Sequence, residues 1–391
     1  MTSPAVAATG AWTKAGDLPA AAAWHGQEDG AVVLKSGQVL LTAGVDASSA
    51  ATGRTAVFDP TGRKWTAGPP LTFPRRLHTA TLLDGGKVLV VGGTSGASPL
   101  SSPLTATELY DPAGPSGPAW KTVGDLREAR SGHSAVLLAD KRVLVTGGTG
   151  ARSGGSVRAL ASAEIYDPVA ETWSDAPPMT DARTGHCALR IKGGQVLVAG
   201  GSAPVSDDGS AALAFCELYS PEQKRWTPTG SLPRPRSGHR AVLVSDTTAL
   251  VIGGATPGVA GDGTFDAYHA LTGEKFDLST GAWTPIPSAA GGRGLHRVVP
   301  LGSGRFLVVG GTADQDNGAG YQSAVIYDDG TRKWDTAAGL ATGRWAFAAA
   351  PLGTGKVLVA GGVVASGVAG GDPQGSELTA TSEIFTAEGV S

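Results

Sequence analysis

The feature that most constrains this chain is a segment that recurs seven times along its 391 residues. One copy, at residues 130–148, reads RSGHSAVLLADKRVLVTGG. It combines an Arg, a His three positions later, two short apolar runs joined by a turn, and a closing glycine pair. The glycines that close the seven copies are Gly44, Gly93, Gly148, Gly201, Gly254, Gly311 and Gly362. A period of about 50 residues is typical of a β-propeller, in which each repeat forms one blade.

Each repeat contains four apolar segments, which predict four short strands. Two of them flank the turn before the glycine pair, a third reads like ELYDP at residues 108–112, and the fourth carries a Trp such as Trp120. Val, Leu and Ile fill these segments, and Gly, Pro and Asp separate them. Four strands per unit around a ring is the propeller design. The sequence therefore predicts an all-β, seven-bladed propeller that spans residues 1–391 as a single domain.

The two ends of the chain are predicted to share the seventh blade. The last repeat runs through SEIFTAEG and stops before any Trp, whereas the chain begins with AWTKAG, which carries Trp12. We expect this N-terminal strand to lie beside Phe385 and complete the sheet, because closure leaves no unpaired strand edge at the seam.

The Arg-x-x-His pair, the double glycine, the Tyr-Asp and the spaced Trp together resemble the kelch repeat family over nearly the whole chain. Members of that family differ in activity, so the resemblance implies the fold more than the function. Galactose oxidase and its relatives are similar propellers in which a Tyr precedes a copper-binding His at this repeat position. Here the preceding residues are Leu77, Gly132, Gly185, Gly238 and Leu295. No Cys is placed as in that family's Tyr-Cys radical site, so we do not expect radical oxidation.

Composition limits the classes of partner. Thirty-one basic and 34 acidic residues give a net charge of −3, which provides no overall attraction to nucleic acid or to anionic membranes. No apolar run reaches the roughly 18 residues of a membrane span, and the N-terminus lacks a signal-peptide pattern. The two cysteines, Cys187 and Cys216, fit a reducing compartment. We therefore expect a cytoplasmic monomer.

The loops that follow the glycine pairs are predicted to form the working face of the propeller. They extend up to the segment at residues 255–272, whereas the opposite hairpins are as short as ADKR at 139–142. Long loops on a rigid scaffold are where binding residues concentrate. Aromatic residues that break the repeat are the best ligand contacts on this face, together with one loop histidine: Trp24, Trp345, Tyr268, Tyr321 and His269.

A histidine recurs three residues after each repeat arginine and forms a predicted ring at the mouth of the central channel. Its members are His78, His133, His186, His239 and His296, with Asp29 and Phe347 at the remaining two positions. Neutral imidazole nitrogens bind copper, zinc and iron, so a transition metal at this ring is one hypothesis. The alternative is that each imidazole forms a hydrogen bond to the backbone of a neighbouring blade without a metal.

The repeat arginines have predicted carboxylate partners. They are Arg75, Arg130, Arg183, Arg236, Arg293 and Arg344, with Gly26 at the first position. The third strands open with Glu108, Glu164, Glu217, Glu274 and Glu383, with Ala56 and Val325 in the first and sixth repeats. Buried charges need partners, so we expect an Arg-Glu pair within each blade that has both residues. Arg293 should lack its carboxylate and, with Arg344, is a candidate contact for an anionic ligand.

The first repeat carries the predicted acid and base groups. Its segment at residues 24–30, WHGQEDG, is about four residues longer than its counterparts and supplies His25, Glu28 and Asp29. Nearby positive charge would keep these carboxylates ionised, and a pocket would tune them for acid/base catalysis. The alternative is an exposed polar loop.

Two classes of function follow from these features. The first is binding of a small polar or anionic ligand on the long-loop face, and the interpretation leans towards a stand-alone biosynthetic enzyme that uses acid/base or metal-assisted chemistry. The second is non-catalytic recognition of an acidic peptide or protein partner. No cofactor is implied beyond the metal hypothesis, and the substrate is not specified by the sequence.

Overall fold

Seven four-stranded antiparallel sheets form the fold, and each sheet is one blade. The structure is a computed structural model. It describes residues 9–26, 30–96, 102–114, 117–151, 157–204, 210–254, 271–289, 291–313, 318–370 and 375–389.

The first three blades follow the N-terminal strand β1 (Ala11–Asp17). Blade 1 contains β2 (Ala31–Val33), β3 (Val39–Thr42), β4 (Thr55–Asp59) and β5 (Lys64–Ala67). Blade 2 contains β6 (Thr79–Leu82), β7 (Val88–Val91), β8 (Thr107–Asp111) and β9 (Ala119–Thr122). Blade 3 contains β10 (Ser134–Leu137) and β11 (Val143–Thr146), a projecting hairpin of β12 (Thr149–Ala151) and β13 (Val157–Ala159), and then β14 (Ala163–Asp167) and β15 (Thr172–Ala176).

Blades 4 to 6 repeat this arrangement. Blade 4 contains β16 (Cys187–Arg190), a 3-10 turn (Lys192–Gly194), β17 (Val196–Ala199), a hairpin of β18 (Ser202–Pro204) and β19 (Ser210–Ala212), β20 (Cys216–Ser220) and β21 (Arg225–Pro228). Blade 5 contains β22 (Arg240–Ser245), β23 (Thr248–Ile252), β24 (Gly273–Asp277) and β25 (Ala282–Pro285). Blade 6 contains β26 (Arg297–Gly302), β27 (Arg305–Val309), β28 (Ala324–Asp328) and β29 (Lys333–Ala337).

Blade 7 joins the two ends of the chain, as predicted. It contains β30 (Ala348–Pro351) and β31 (Lys356–Ala360), a hairpin of β32 (Val363–Ser366) and β33 (Ser376–Leu378) with a 3-10 turn (Gly367–Gly370), and β34 (Thr381–Thr386). Strand β1 pairs antiparallel with β34 and is the outermost strand of this sheet. Trp12 faces Phe385 in the register, with ring centroids 5.1 Å apart. The expected closure by the N-terminal strand is confirmed.

The innermost strands close the ring. Each blade's first strand contacts that of the next blade, and β2 contacts both β6 and β30. The second strands, such as β7, are buried on both faces, because neighbouring blades cover each side with Val, Leu and Ile. No helix in the described part of the chain is long and apolar enough to cross a membrane.

The repeat Trp and the glycine pair have separate structural roles. Trp120 stacks on Tyr110 of its own sheet, with centroids 4.9 Å apart, and donates a hydrogen bond from Nε1 to the carbonyl of Pro69 in blade 1. It therefore joins two blades. Gly93 has φ of +94°, and a Cβ there would lie 2.6 Å from the carbonyl oxygen of Arg76. This close backbone contact requires glycine.

Candidate functional site

The repeat arginines form buried ion pairs inside their blades. In blade 2, Arg75 Nη2 lies 2.8 Å from Glu108 Oε1, and neither side chain is exposed. Arg75 Nη1 also donates to the carbonyls of Gly92 and Ala106, at 2.8 and 2.9 Å. Corresponding ion pairs join Arg130 to Glu164, Arg183 to Glu217, Arg236 to Glu274 and Arg344 to Glu383. The predicted pairing within blades is confirmed for all five.

The paired glutamate also holds the chain that enters its blade. Glu108 accepts hydrogen bonds from the backbone N–H groups of Thr72 and Phe73, at 2.7 and 3.2 Å. A buried carboxylate needs several such donors to offset its lost hydration. Arg344, predicted to contact a ligand, belongs to one of these pairs and is not exposed. Ligand contact by Arg344 would therefore require that pair to open.

Arg293 differs from the other repeat arginines because Val325 stands where they have a glutamate. Its guanidinium donates to the carbonyl of Gly310 and to both oxygens of Ser323. It makes no ion pair with any residue that the structure describes, as predicted. Burial lowers the pKa of Arg293 to about 10, and the Tyr321 ring lies 5.3 Å from its Cζ. The side chain is only 2% exposed.

A shallow cleft of about 580 Å³ lies beside this arginine on the long-loop face. Its lining includes Tyr321, Gln322, Ser323, Val364 and Glu377. Tyr321 thus contacts both the cleft and the buried guanidinium of Arg293. Of the predicted ligand contacts, Tyr321 lines the cleft and Arg293 lies buried behind it, and an anion in the cleft would also meet the carboxylate of Glu377.

The repeat histidines lie between blades rather than on an open surface. His78 Nε2 is 2.9 Å from Thr42 Oγ1, His133 Nε2 is 3.0 Å from Thr79 Oγ1, and His186 Nε2 is 3.0 Å from Thr146 Oγ1. Each threonine belongs to the preceding blade. These three histidines and the other two members of the set, His239 and His296, are all at most 3% exposed. The arrangement supports the alternative in which imidazoles join blades without a metal, but the three bonds run to threonine hydroxyls rather than to the expected backbone groups. Nε2 of His239 and of His296 has no hydrogen-bond partner among the described residues.

Burial keeps these imidazoles neutral. Burial first, and then the positive charges of Arg75 and Arg236, lower the pKa of His78 and of His239 to about 3. The pKa values of His133, His186 and His296 lie well below the usual range for the same main reason, burial. Neutral imidazole is also the form that binds metal.

A metal at the histidine ring stays a prediction that this geometry does not favour. Among the residues that the structure describes, no three His, Cys, Asp or Glu side chains are placed to hold one ion. The Nδ1 atoms of the five repeat histidines have no hydrogen-bond partner there, but the rings are spread over five blade boundaries. The described residues therefore do not fit a common metal centre.

The structure corrects the alignment of the first repeat. Gly362 N donates to the carbonyl of Ala22 at 2.8 Å, as Gly93 N donates to that of Arg130 at 2.9 Å. Ala22, not Gly26, therefore takes the arginine position. Thr42 N donates to the carbonyl of Gly30 just before β2, so the extra residues of this repeat lie between Ala22 and Gly30. Counting back from the glycine pair could not locate them. Blade 1 still lacks both members of the ion pair, since Ala56 replaces the glutamate.

Trp24 occupies the place that an imidazole holds in other blades. A Cβ added at Gly361 would lie 3.0 Å from the six-membered ring of Trp24. In the same way, a Cβ added at Gly92 would lie 3.0 Å from the ring of His133. Trp24 Nε1 donates to the carbonyl of Thr42 at 2.9 Å, and the residue is 5% exposed. The predicted ligand contact Trp24 is therefore mostly a packing residue in this structure.

Trp345 and His25 meet at the boundary of blades 7 and 1. Their ring centroids are 5.4 Å apart in an edge-to-face arrangement, and Trp345 is 2% exposed. Burial, and then the charge of Arg76, lowers the pKa of His25 to about 4. His25 is therefore neutral at pH 7 and only weakly basic. The other predicted residues, Glu28, Asp29, Tyr268 and His269, lie outside the described residues.

Two arginines that the sequence interpretation missed reach the blade 1 segment from blades 5 and 6. Arg240 Nη2 donates to the carbonyl of Gly26 at 2.9 Å, and Arg297 Nη2 donates to that of Trp24 at 3.0 Å. These arginines begin the innermost strands of blades 5 and 6, so residues 24–26 extend into the centre of the ring. Other repeats have small residues at this position: Thr79, Ser134, Cys187 and Ala348. The sequence did contain a signal for this contact: Arg240 and Arg297 occupy, in two consecutive repeats, a position that holds small residues in the others.

Comparisons with known proteins agree with this architecture. Residues 132–362 match the KLHDC2/KLHL20/DRC7 Kelch-repeats domain. Kelch-like protein 34 of Homo sapiens is 27% identical over 247 residues, which cover 60% of this chain and 35% of that protein. Kelch-like protein terF of Aspergillus terreus is 24% identical over 338 residues, 82% of this chain and 68% of that protein.

A solved fungal alcohol oxidase of the AA5 family, in complex with copper, has the same fold. It aligns with a TM-score of 0.71 and 16% identity, over 97% of this chain and 76% of its own. This likeness concerns the fold alone. The chain spans only about a third of the length of Kelch-like protein 34 and of spermatocyte protein spe-26 of Caenorhabditis elegans. Because the domain match covers more than half of the chain, this protein belongs to the Kelch-repeats domain family.

Proposed function

We propose that this chain is a non-catalytic recognition module that binds a protein partner through the long-loop face. The observation that carries the proposal is that most repeat arginines and histidines are engaged in holding the propeller together. Five repeat arginines and at least three repeat histidines form bonds within or between blades. The Kelch-like relatives support an interaction role as well. Recognition is then left to side chains that project from the rigid ring.

The finer proposal is that an acidic segment of the partner binds on blades 2 and 3. Phe73, in the segment that enters blade 2, is 39% exposed. Arg127 enters blade 3, and Arg158 lies on its projecting hairpin; their side chains are 59% and 55% exposed. We call Phe73, Arg127 and Arg158 the blade 2/3 surface. It offers one large apolar group and two cations on the same face.

The present partners of these cations are exchangeable. Arg127 pairs with Asp175 at 2.7 Å and Arg158 pairs with Glu128 at 2.8 Å, and all four side chains are at least 30% exposed. Exposed ion pairs contribute about 0–1 kcal/mol to stability. A partner carboxylate can therefore replace either one at small cost, whereas the buried arginine pairs are not accessible for such an exchange.

Anisotropy of fluorescently labelled peptides tests this proposal. A peptide with alternating Glu and Leu should bind saturably, and its Lys/Leu counterpart should not. The double variant Arg127→Ser/Arg158→Ser should weaken binding about tenfold or more, since two charge-assisted bonds are lost. Arg63→Ser/Arg190→Ser removes the same charge from exposed positions on the opposite face and should leave binding unchanged. Equal loss in both double variants would reduce the effect to net charge and contradict the proposed surface.

A small-ligand function is the second candidate, and the cleft beside Tyr321 is the observation that favours it. The cation of Arg293, which has no ion-pair partner among the described residues, lies directly behind the ring of Tyr321, where an anionic ligand could gain from it. Enzymatic turnover stays a hypothesis, because its acid/base residues Glu28 and Asp29 are outside the described residues. Saturation-transfer NMR with a set of small phosphates and carboxylates tests the cleft, with Tyr321→Ala as the variant that should abolish any signal.

A further inference from the structure

Blade 1 contains a cavity at the position where five of the other blades bury an arginine and a glutamate. The cavity has a volume of about 290 Å³, near the lower end of ligand pockets. Its lining includes Ala22 and Ala56, the two positions of the missing pair, and also Ala43 and Arg54. In blade 2 the equivalent residues are Arg75, Glu108, Gly92 and Ala106, which form the bonded ion-pair cluster. The loss of two large side chains has therefore left a preformed space.

The walls of this cavity are mostly apolar. Leu18, Pro19, Leu41, Trp24 and Pro70 contribute to them. Trp24 and Thr55 present polar atoms that are already bonded, to the carbonyls of Thr42 and Pro69 respectively. An occupant must therefore have an apolar body, because most of its surface would meet carbon.

Two groups at the cavity can hold an anion. Among the described residues of the lining, Arg54 alone is charged, and it is exposed. Its side chain makes no hydrogen bond or ion pair with any described residue, whereas its backbone carbonyl accepts from Ala43 N. The charge of Arg54 is one of the smaller causes, after the Ser48 hydrogen bond, that lower the pKa of nearby Asp46. The backbone N–H of Ala20 is also without a partner in the described part of the chain; its blade 2 counterpart, Phe73 N, donates to the glutamate that blade 1 lacks. A ligand carboxylate would restore the missing acceptor.

We propose that this blade 1 cavity, bounded by Ala22, Arg54 and Ala56, binds a small carboxylic acid with an apolar aromatic or branched aliphatic body. Its carboxylate accepts hydrogen bonds from the Arg54 guanidinium and the Ala20 N–H, and its body fills the volume left by the absent ion pair. This site goes beyond the proposed protein recognition, because it requires no partner and lies at blade 1 rather than on the blade 2/3 surface.

Ligand-observed NMR and calorimetry with benzoate, phenylacetate and 3-methylbutanoate test the proposal. At least one acid should bind one site per chain, and benzamide, which matches benzoate in shape without its charge, should bind at least about tenfold more weakly. Arg54→Gln should weaken benzoate to a similar extent. Arg63→Gln, which removes an exposed arginine of the same blade, is the matched control and should not.

A second variant separates the cavity from its charge. Ala22→Arg/Ala56→Glu rebuilds the ion pair of the other blades and should fill the cavity, so that binding is lost while unfolding in urea shows a stability equal to or above that of the unmodified chain. If this double variant fails to fold, Ala56→Leu fills part of the same space and should weaken binding. Failure of all three acids to bind at millimolar concentration, or binding that survives both Arg54→Gln and a folded cavity-filling variant, would overturn the proposal.

Discussion

Removing the carboxylate of Glu108 gives the sharpest test of the role assigned to the repeat arginines. In the substitution Glu108→Ala, the guanidinium of Arg75 loses its 2.8 Å partner while it stays fully buried. The backbone N–H groups of Thr72 and Phe73 lose their acceptor at the same time. We therefore expect an isolated cation and two unsatisfied donors next to a packed core.

The magnitude follows from the burial of both partners. Breaking a buried pair by removing one member costs about 3–5 kcal/mol, because an uncompensated charge remains. Asp175→Ala, which breaks the exposed pair with Arg127, should cost no more than about 1 kcal/mol. Replacing both Arg75 and Glu108 with methionine removes the charges together and should cost less than Glu108→Ala alone.

Urea unfolding at 25 °C, followed by tryptophan fluorescence and by circular dichroism, measures these differences. The two probes must coincide for the free energies of unfolding to be compared. A cost for Glu108→Ala that is no greater than that of Asp175→Ala would refute the reasoning. So would a double-methionine variant that is less stable than Glu108→Ala, since the unpaired charge would then not be the cause.

Three further predictions follow from the same structure. Trp12→Ala should destabilise the chain by about 2 kcal/mol, less than a fully buried aromatic, because β1 then lacks its stacking on Phe385; unchanged urea unfolding would argue against closure by β1. The pKa of His78 is about 3 in the folded chain and about 6.5 in the unfolded chain, so the unfolded chain binds more protons below pH 6.5. The free energy of unfolding should therefore be highest above pH 6.5 and fall as the pH drops towards 3. A free energy of unfolding that stays constant between pH 7.5 and 5 would be inconsistent with neutral buried imidazoles. Arg297→Met should speed amide hydrogen exchange in residues 22–26, which it holds through the carbonyl of Trp24, whereas Arg305→Met, the matched change on the next strand, should not.

The fold could be predicted from the sequence because its information is local and repeated. The glycine pair, the strand patterns and the orphan Trp12 each specify a contact within one blade or at one seam. The Arg-Glu pairs could also be predicted, since both partners are lost together in blade 1 and one is lost at Val325. These features can be recognised from residues that recur at fixed spacing in the repeats, without knowledge of the three-dimensional arrangement of the blades.

The centre of the ring was harder to predict. The insertion between Ala22 and Gly30 shifts the register of blade 1, and counting from Gly44 assigned the arginine position to Gly26 instead of Ala22. The hydrogen bond from Arg240 to Gly26 joins residues 214 positions apart, and it exists only because the ring closes. The burial of Trp24 and Trp345 likewise depends on how blades 7 and 1 pack. For this reason the sequence predicted these two aromatic residues to be accessible to a ligand, whereas the structure buries them.

Metal analysis of protein purified without a histidine tag tests the central claim most directly, namely that the repeat arginines and histidines hold the blades together while recognition is left to the loop face. Mass spectrometric quantification should find copper, zinc and iron well below one ion per chain, and His186→Ala/His239→Ala should lower the stability of the protein without changing its metal content. One equivalent of a transition metal that disappears in this double variant would contradict the claim.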